Sequence, residues 1–409
     1  MVFPDHSHYA IPKRSNAALL LSAVSRLGGG ALVAFMFIWT IWSSFNPTPI
    51  TRTLSALAET SHTNLGRHDS PERNIYDDPN LSYALGSSPP MKGWNEKRQE
   101  WLKQHPSLAP GAPTRIVMVT GSQPGPCKNP IGDHLLLKLF KNKVDYCRSH
   151  GIDIFYNNAL LHPQMFSFWA KMAAVRAAML AHPEAEWIWW VDSDAAFTDM
   201  DFLPPPLPPP QHGRVFLLRN SQWALDFLDM WASMGPQSPD YAKWGQTLSS
   251  VFKDKIFPES DDQSGLIYLY LKEKWGEKIY VEDEYYFEGY WLEIVPTFEN
   301  ITARYMEIER NVGTLRRRHA EKVSEGYARV WEEQLKGKED LRRPFITHFT
   351  GCQPCTGNHN RMYSGDSCSD AMIKALAFAD NQVLKNYGFM HPDLHDPSTV
   401  IPLPFDYPA

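Results

Sequence analysis

Two carboxylates one residue apart, Asp192 and Asp194, stand at the end of an unbroken apolar run in the stretch EWIWWVDSDAAFTDM, residues 186–200. The run Trp187 to Val191 reads as a strand buried on both faces of a sheet. Two negative charges at the tip of such a strand are unfavourable unless something neutralises them. A divalent cation does so, because Mg²⁺ and Mn²⁺ take hard oxygen ligands and share them with substrate phosphates. The chemistry predicted is a metal-held sugar nucleotide, with Asp192-Ser193-Asp194 as the metal motif. The competing reading is a solvated turn after a core strand. An isolated Asp-x-Asp is common, and the apolar run ahead of it is what favours the metal.

Other residues could join that chemistry, each with a plainer local role. Glu259-Ser260-Asp261-Asp262-Gln263 precedes a predicted helix over 264–274. Acidic residues there suit the helix macrodipole, and taken alone that reading outweighs a carboxylate–amide cluster facing a transferred sugar. Asn220-Ser221-Gln222 follows a predicted strand over 215–219; its amides could bond sugar hydroxyls or merely start the next helix. His348 closes a predicted strand over 345–349, where a lone histidine is usually structural. Gly121 and Ser122 end a predicted strand over 115–120, and a glycine there lets backbone approach a ligand closely. No G-x-G-x-x-G accompanies them, so a dinucleotide-binding fold is not supported.

These residues need a scaffold, and the pattern between them supplies one. A helix is predicted over 134–150 and a strand over 152–156; then Phe168, Met172, Val175 and Met179 share one helical face until His182-Pro183 stops it. Strand and helix alternate, so the fold class is α/β, a mainly parallel sheet covered by helices. Pro204 to Pro210 reads as a surface loop, the charged stretch 300–335 with Arg316, Arg317 and Arg318 as a solvated helix face, and the tail from Asp380 as a short helix and little else.

The chain has 409 residues and a formal charge of −6, which argues against general binding of nucleic acid. Residues 1–26 read as a cytosolic tail and 27–45 as a transmembrane signal-anchor: LGGGALVAFMFIWTIWSSF is uncharged and as a helix would span roughly 28 Å. Lys13, Arg14 and Arg26 precede it, so the remainder is expected to be lumenal. Residues 46–113, rich in Ser, Thr, Pro and charge, read as a stem, and 114–409 as the catalytic domain. Asn80 and Asn300 head N-glycosylation sequons. The five cysteines, Cys127, Cys147, Cys352, Cys355 and Cys368, allow two disulfides and a free thiol. Cys352 and Cys355 form a C-x-x-C without a second pair or paired histidines to complete a zinc set, so disulfides or buried thiols are expected, with the pairing open.

Taken together, W-x-K at 169–171, WIWWVDSDA, LLRNSQW, ESDDQSG and HFTGCQPC resemble glycosyltransferase family 34 over about residues 114–409. Its plant members include galactomannan α-1,6-galactosyltransferases and xyloglucan α-1,6-xylosyltransferases. The resemblance implies a GT-A glycosyltransferase fold, a single-pass type II Golgi membrane protein, a UDP-sugar donor, Mn²⁺ and retention of anomeric configuration. It implies Asp192, Asp194 and His348 as metal ligands. It puts Gly121, Ser122, Lys171, Ser193, Gly351 and Gln353 at the nucleotide, and Asn220, Gln222, Asp261, Asp262 and Gln263 at the donor sugar and reacting centre. The xylosyltransferases carry lysine where this chain has Gln353, which has no positive charge; the C-Q-P-C string and the PLPF tail are similar to the galactomannan type. The activity expected is therefore transfer of galactose from UDP-galactose in α-1,6 linkage to a β-1,4-mannan backbone. The alternatives are xylose transfer from UDP-xylose to another β-1,4-linked polysaccharide, and a catalytically silent scaffold subunit. A lumenal stem also suits homo- or hetero-oligomers.

Overall fold

Trp187–Val191 is a strand whose five residues are all buried, and the rest of the domain is layered on it. The computed structural model describes residues 78, 81–86, 90–108, 115–204, 215–255, 257–281, 288–315, 325–336, 342–404 and 407. The expected tail, anchor, most of the stem with Asn80, most of the proline loop, and the arginine triplet lie outside them. Among the described residues no helix is long and apolar enough to cross a membrane.

In chain order the strands are β1 (Ile116–Gly121), β2 (Asp153–Asn157), β3 (Trp187–Val191), β4 (Ala195–Phe197), β5 (Val215–Arg219), β6 (Glu288–Tyr290), β7 (Ile346–His348), β8 (Phe389–Met390) and β9 (Ile401–Pro402). The helices are α1 (Trp94–Gln104), α2 (Gly132–His150), α3 (Ala170–Ala181), α4 (Gln222–Ala232), α5 (Tyr241–Val251), α6 (Asp262–Lys272), α7 (Trp291–Ile294), α8 (Phe298–Asn311), α9 (Glu325–Leu335) and α10 (Gly365–Leu384). The main sheet has the order β2-β1-β3-β5. β1 is parallel to β2 and β3, and β5 is antiparallel to β3. A smaller sheet, β4-β7-β6, carries the chain's second approach to the aspartates.

Alternation along the central strands separates two cores. Val117, Val119, Ile188 and Trp190 face α3 and α4, packing with Met172, Val175, Met179, Leu225 and Leu228. Met118, Trp187, Trp189 and Val191 face the other way, with Tyr146 and Cys147 of α2. Helices thus cover both faces of a mixed sheet, as the alternating pattern predicts. Phe168 departs from that pattern: it sits in a 3₁₀ turn before α3 and is exposed, while Trp169 is the buried residue. The charged stretch from Asn300 is only half solvated, because Phe298, Ile301, Tyr305, Trp331 and Leu335 bury an apolar stripe of α8 and α9.

The expected stem boundary needs a correction. Leu85, Met91 and Trp94 belong to the main core, although the polar composition around them reads as a spacer. The Trp94 indole donates to Asn220 Oδ1 at 2.8 Å, and the Arg98 guanidinium donates to the carbonyls of Pro183 and Ala185 at 2.6 and 2.8 Å. Replacing Trp94 by Ala is expected to destabilise the protein by about 3–5 kcal/mol in denaturant unfolding. A change below about 1 kcal/mol would make residues 81–104 an appendage rather than part of the domain.

Candidate active site

β1 and β3 run parallel with Val119 opposite Trp190, so Gly121-Ser122 and Asp192 leave the sheet at the same end. The chain turns at Asp192-Ser193-Asp194, with Ala195 N–H donating to the Asp192 carbonyl at 3.2 Å. It then enters β4, which pairs antiparallel with β7, Ala195 opposite His348. That pairing brings the histidine to the aspartates. His348 Nε2 lies 3.3 Å from Asp194 Oδ1 and 4.0 Å from Asp192 Oδ2. One ligand atom from each of the three residues falls within a 4.8 Å group.

Charge complements this geometry. Lys171 is buried at the start of α3 and bridges Asp192 Oδ1 at 3.2 Å and Asp262 Oδ2 at 2.8 Å. Burial alone would lower its pKa; Asp192 and Asp262 outweigh that and raise it. Burial raises the Asp262 carboxyl above the usual carboxylate range, with Lys171 opposing. His348 is pushed up to about 10, Asp194 and Glu288 overcoming the effect of burial. Asp194 is held low, the pull of His348 exceeding the opposite effect of burial. Buried Lys143, on α2, is lowered by burial to about 8, with Asp194 and Asp192 resisting. Four carboxylates (Asp192, Asp194, Asp262, Glu288) thus face two lysines. Once His348 is neutral the excess is two negative charges, and a divalent cation fits that excess and the N/O donor set.

Two indoles set the Asp262 turn. Trp169 Nε1 donates to the Ser260 carbonyl at 3.2 Å and Trp231 Nε1 to the Asp262 carbonyl at 2.8 Å. Gly265 sits where a Cβ would meet Met234 Sδ at 3.2 Å, so α6 packs close enough to aim Asp262 at Lys171. Gly121 has no room for a side chain, since a Cβ would fall 2.2 Å from the Asn157 carbonyl. Ser122 accepts from the Tyr156 hydroxyl at 2.7 Å. Beyond β7, Gly351 takes φ +80° beside Tyr363, and Gln353 is exposed with its amide oxygen accepting from the Thr356 hydroxyl at 2.9 Å. Disulfides Cys127–Cys355 and Cys352–Cys368 staple this loop to the segment leading into α2 and to the first turn of α10; Cys147 stays free and buried.

The sequence pattern of the galactosyl transferase GMA12/MNN10 family, glycosyltransferase family 34, matches residues 112–203 and 212–359. The chain belongs to glycosyltransferase family 34. It is 53% identical over 93% of its length to "Galactomannan galactosyltransferase 1" of Cyamopsis tetragonoloba, covering 95% of that protein. It is 52% identical over 97% of its length to "Glycosyltransferase 6" of Arabidopsis thaliana, covering 98% of it. It is also 41% identical over 80% of its length to "Probable xyloglucan 6-xylosyltransferase 5" of the same plant, covering 71% of it. This family 34 protein is a glycosyltransferase, and the family implies a nucleotide-sugar donor and a saccharide acceptor.

Within this family 34 site the structure separates the expected residues. Asp192, Asp194, His348, Lys171 and Asp262 meet in one cluster, and Gly121 and Ser122 lie at the same sheet end. Gln263 follows directly in the first turn of α6. Asn220 and Gln222 do not join them. β5 is antiparallel to β3 with Arg219 opposite Trp187, so both residues lie at the opposite sheet end, roughly 16 Å away along the strand. Asn220 is buried and donates to the Met179 and His182 carbonyls, each at 3.0 Å, while Gln222 accepts from Trp94 N–H at 2.9 Å. They are latches for α1, not donor contacts. Asp261 is also committed elsewhere, capping α6 through Ser264 N–H at 2.8 Å and pairing with Lys255 at 2.9 Å.

Three residues escaped the sequence reading. Glu288 of β6 bonds His348 Nδ1, leaving Nε2 directed at the aspartates. The Trp190 indole donates to Asp192 Oδ1. Lys143 had a local signal: it occupies a core-facing place between Leu139 and Cys147, where the helix pattern calls for an apolar residue.

Proposed function

We propose that this protein transfers galactose from UDP-galactose, in α-1,6 linkage and with retention, to a β-1,4-linked mannan backbone. The observation carrying the proposal is the convergence of Asp192, Asp194 and His348 beside the Lys171–Asp262 pair. Identity to the galactomannan enzyme exceeds that to the xyloglucan relative, and Gln353 in place of lysine agrees with it. In this reading Asp192, Asp194 and His348 hold Mn²⁺, which when bound neutralises the departing diphosphate as a Lewis acid. A GT-A arrangement would present the nucleotide to Gly121 and Ser122, with Lys171 keeping Asp192 and Asp262 apart and oriented. Asp262 and Gln263 face the oxocarbenium-like anomeric carbon. The acceptor hydroxyl forms its bond to that carbon on the face from which the phosphate leaves, and its proton passes to a phosphate oxygen.

The same reading makes the chain a type II Golgi protein anchored through 27–45, with the catalytic domain lumenal. Asn300, exposed in the first turn of α8, would then be open to glycosylation. The decisive experiment offers UDP-galactose and UDP-xylose against β-1,4-mannan and cellulose oligomers. Galactosylated mannan is expected as the main product. Xylosylated cello-oligomers would assign the xyloglucan activity, and no transfer or donor hydrolysis in any pairing would assign a scaffold.

A further inference from the structure

We propose that Lys143 is a positioning residue that holds the Asp192–Asp194 turn in its cation-binding form. Its Nζ donates to the Ala195 carbonyl at 2.6 Å and the Ser193 carbonyl at 3.3 Å, the two carbonyls flanking Asp194. The Asp194 carbonyl between them accepts Phe349 N–H at 3.0 Å. Three consecutive carbonyls are therefore occupied, two by one lysine and one by the strand that carries His348. The neighbouring Asn142 secures the far end of β4, its side chain donating to the Phe197 carbonyl at 2.9 Å and accepting Phe197 N–H at 2.8 Å. Two adjacent residues of α2 thus grip both ends of the segment 193–197, and Asp194 is fixed relative to His348 through its backbone.

The arrangement carries a desolvation cost. Lys143 is 1% exposed within the core-facing side of α2, where methionine would fill nearly the same volume without desolvating an ammonium. A positive charge under an anionic cluster also weakens cation binding by simple repulsion. The two roles of the lysine therefore predict opposite results on its removal: loss of the tether weakens cation binding, whereas loss of repulsion alone strengthens it. The inference rests on the cation site proposed above.

The test measures Mn²⁺ binding by calorimetry on the full chain without donor, beside thermal melts without metal. For Lys143→Met a cooperative melt should persist, Mn²⁺ affinity should fall about tenfold, and transfer should fall with it. Lys143→Gln, which keeps a donor on a shorter arm, should bind Mn²⁺ between the parent and the methionine variant, and it carries the test if the methionine variant fails to fold. Equal or tighter Mn²⁺ binding in a folded variant, with transfer unchanged, would overturn the tether. A parent chain that binds no Mn²⁺ would instead remove the cation site, and this inference with it.

Discussion

Asp194→Asn is expected to lose about 10²–10³-fold in kcat/KM for transfer and to bind Mn²⁺ weakly. The substitution keeps the size of the side chain and removes the charge 3.3 Å from His348 Nε2. In the metal-free parent, His348 titrates near 10, because Asp194 and Glu288 favour the imidazolium against the effect of burial. A cation must therefore displace that proton, so apparent Mn²⁺ affinity should climb as pH rises towards 10. The linked contribution to folding has the reverse trend. A histidine raised above its ordinary 6.5 stabilises the metal-free fold fully below that pH and progressively less as pH passes through the folded value. In Asp194→Asn both dependences should flatten. Transfer within tenfold of the parent, or an unaltered pH dependence of metal binding, would remove Asp194 from the ligand set.

Lys171→Met should have the second largest effect, and on two readouts at once. Lys171 is nearly inaccessible between Asp192 and Asp262. Deleting one partner of a buried pair typically destabilises by about 3–5 kcal/mol, because the remaining charge is left without compensation. Turnover should fall about 10²-fold, since Asp262 would take up a proton and, in the proposed mechanism, no longer stabilise the reacting sugar. Combining Lys171→Met with Asp262→Asn should recover much of the lost stability and none of the activity. Wild-type turnover in the single variant, or recovery of both properties in the double, would contradict the arrangement.

What the sequence made legible was whatever depends on near neighbours. The apolar run before Asp192 specified β3, the alternating pattern specified a sheet covered by helices, and the acidic stretch 259–263 marked a helix N-terminus, although the helix starts at Asp262, two residues ahead of the expected 264. Strand direction did not follow from composition. Asn220 follows a strand end just as Ser122 does, but β5 runs against β3 and delivers it to the far end of the sheet. Asp261 and Asp262 are adjacent in sequence, yet the N-cap geometry turns one to Lys255 and the other to Lys171. His348 acquires its role only through the pairing of β4 with β7, a contact between distant segments that local pattern does not encode. The C-x-x-C likewise splits, each sulfur leaving for a different element.

That split has a consequence for how the polypeptide matures. Cys127 and its partner Cys355 are 228 positions apart, so during synthesis Cys127 emerges long before the sulfur it must join. In that interval the next thiol to appear is Cys147, twenty residues on. The folded helix α2 takes Cys147 out of the competition by enclosing it against β1, where burial pushes its thiol up to about 12. A thiol that resists ionisation makes a poor attacker, so once α2 is docked on the sheet Cys147 no longer competes for Cys127.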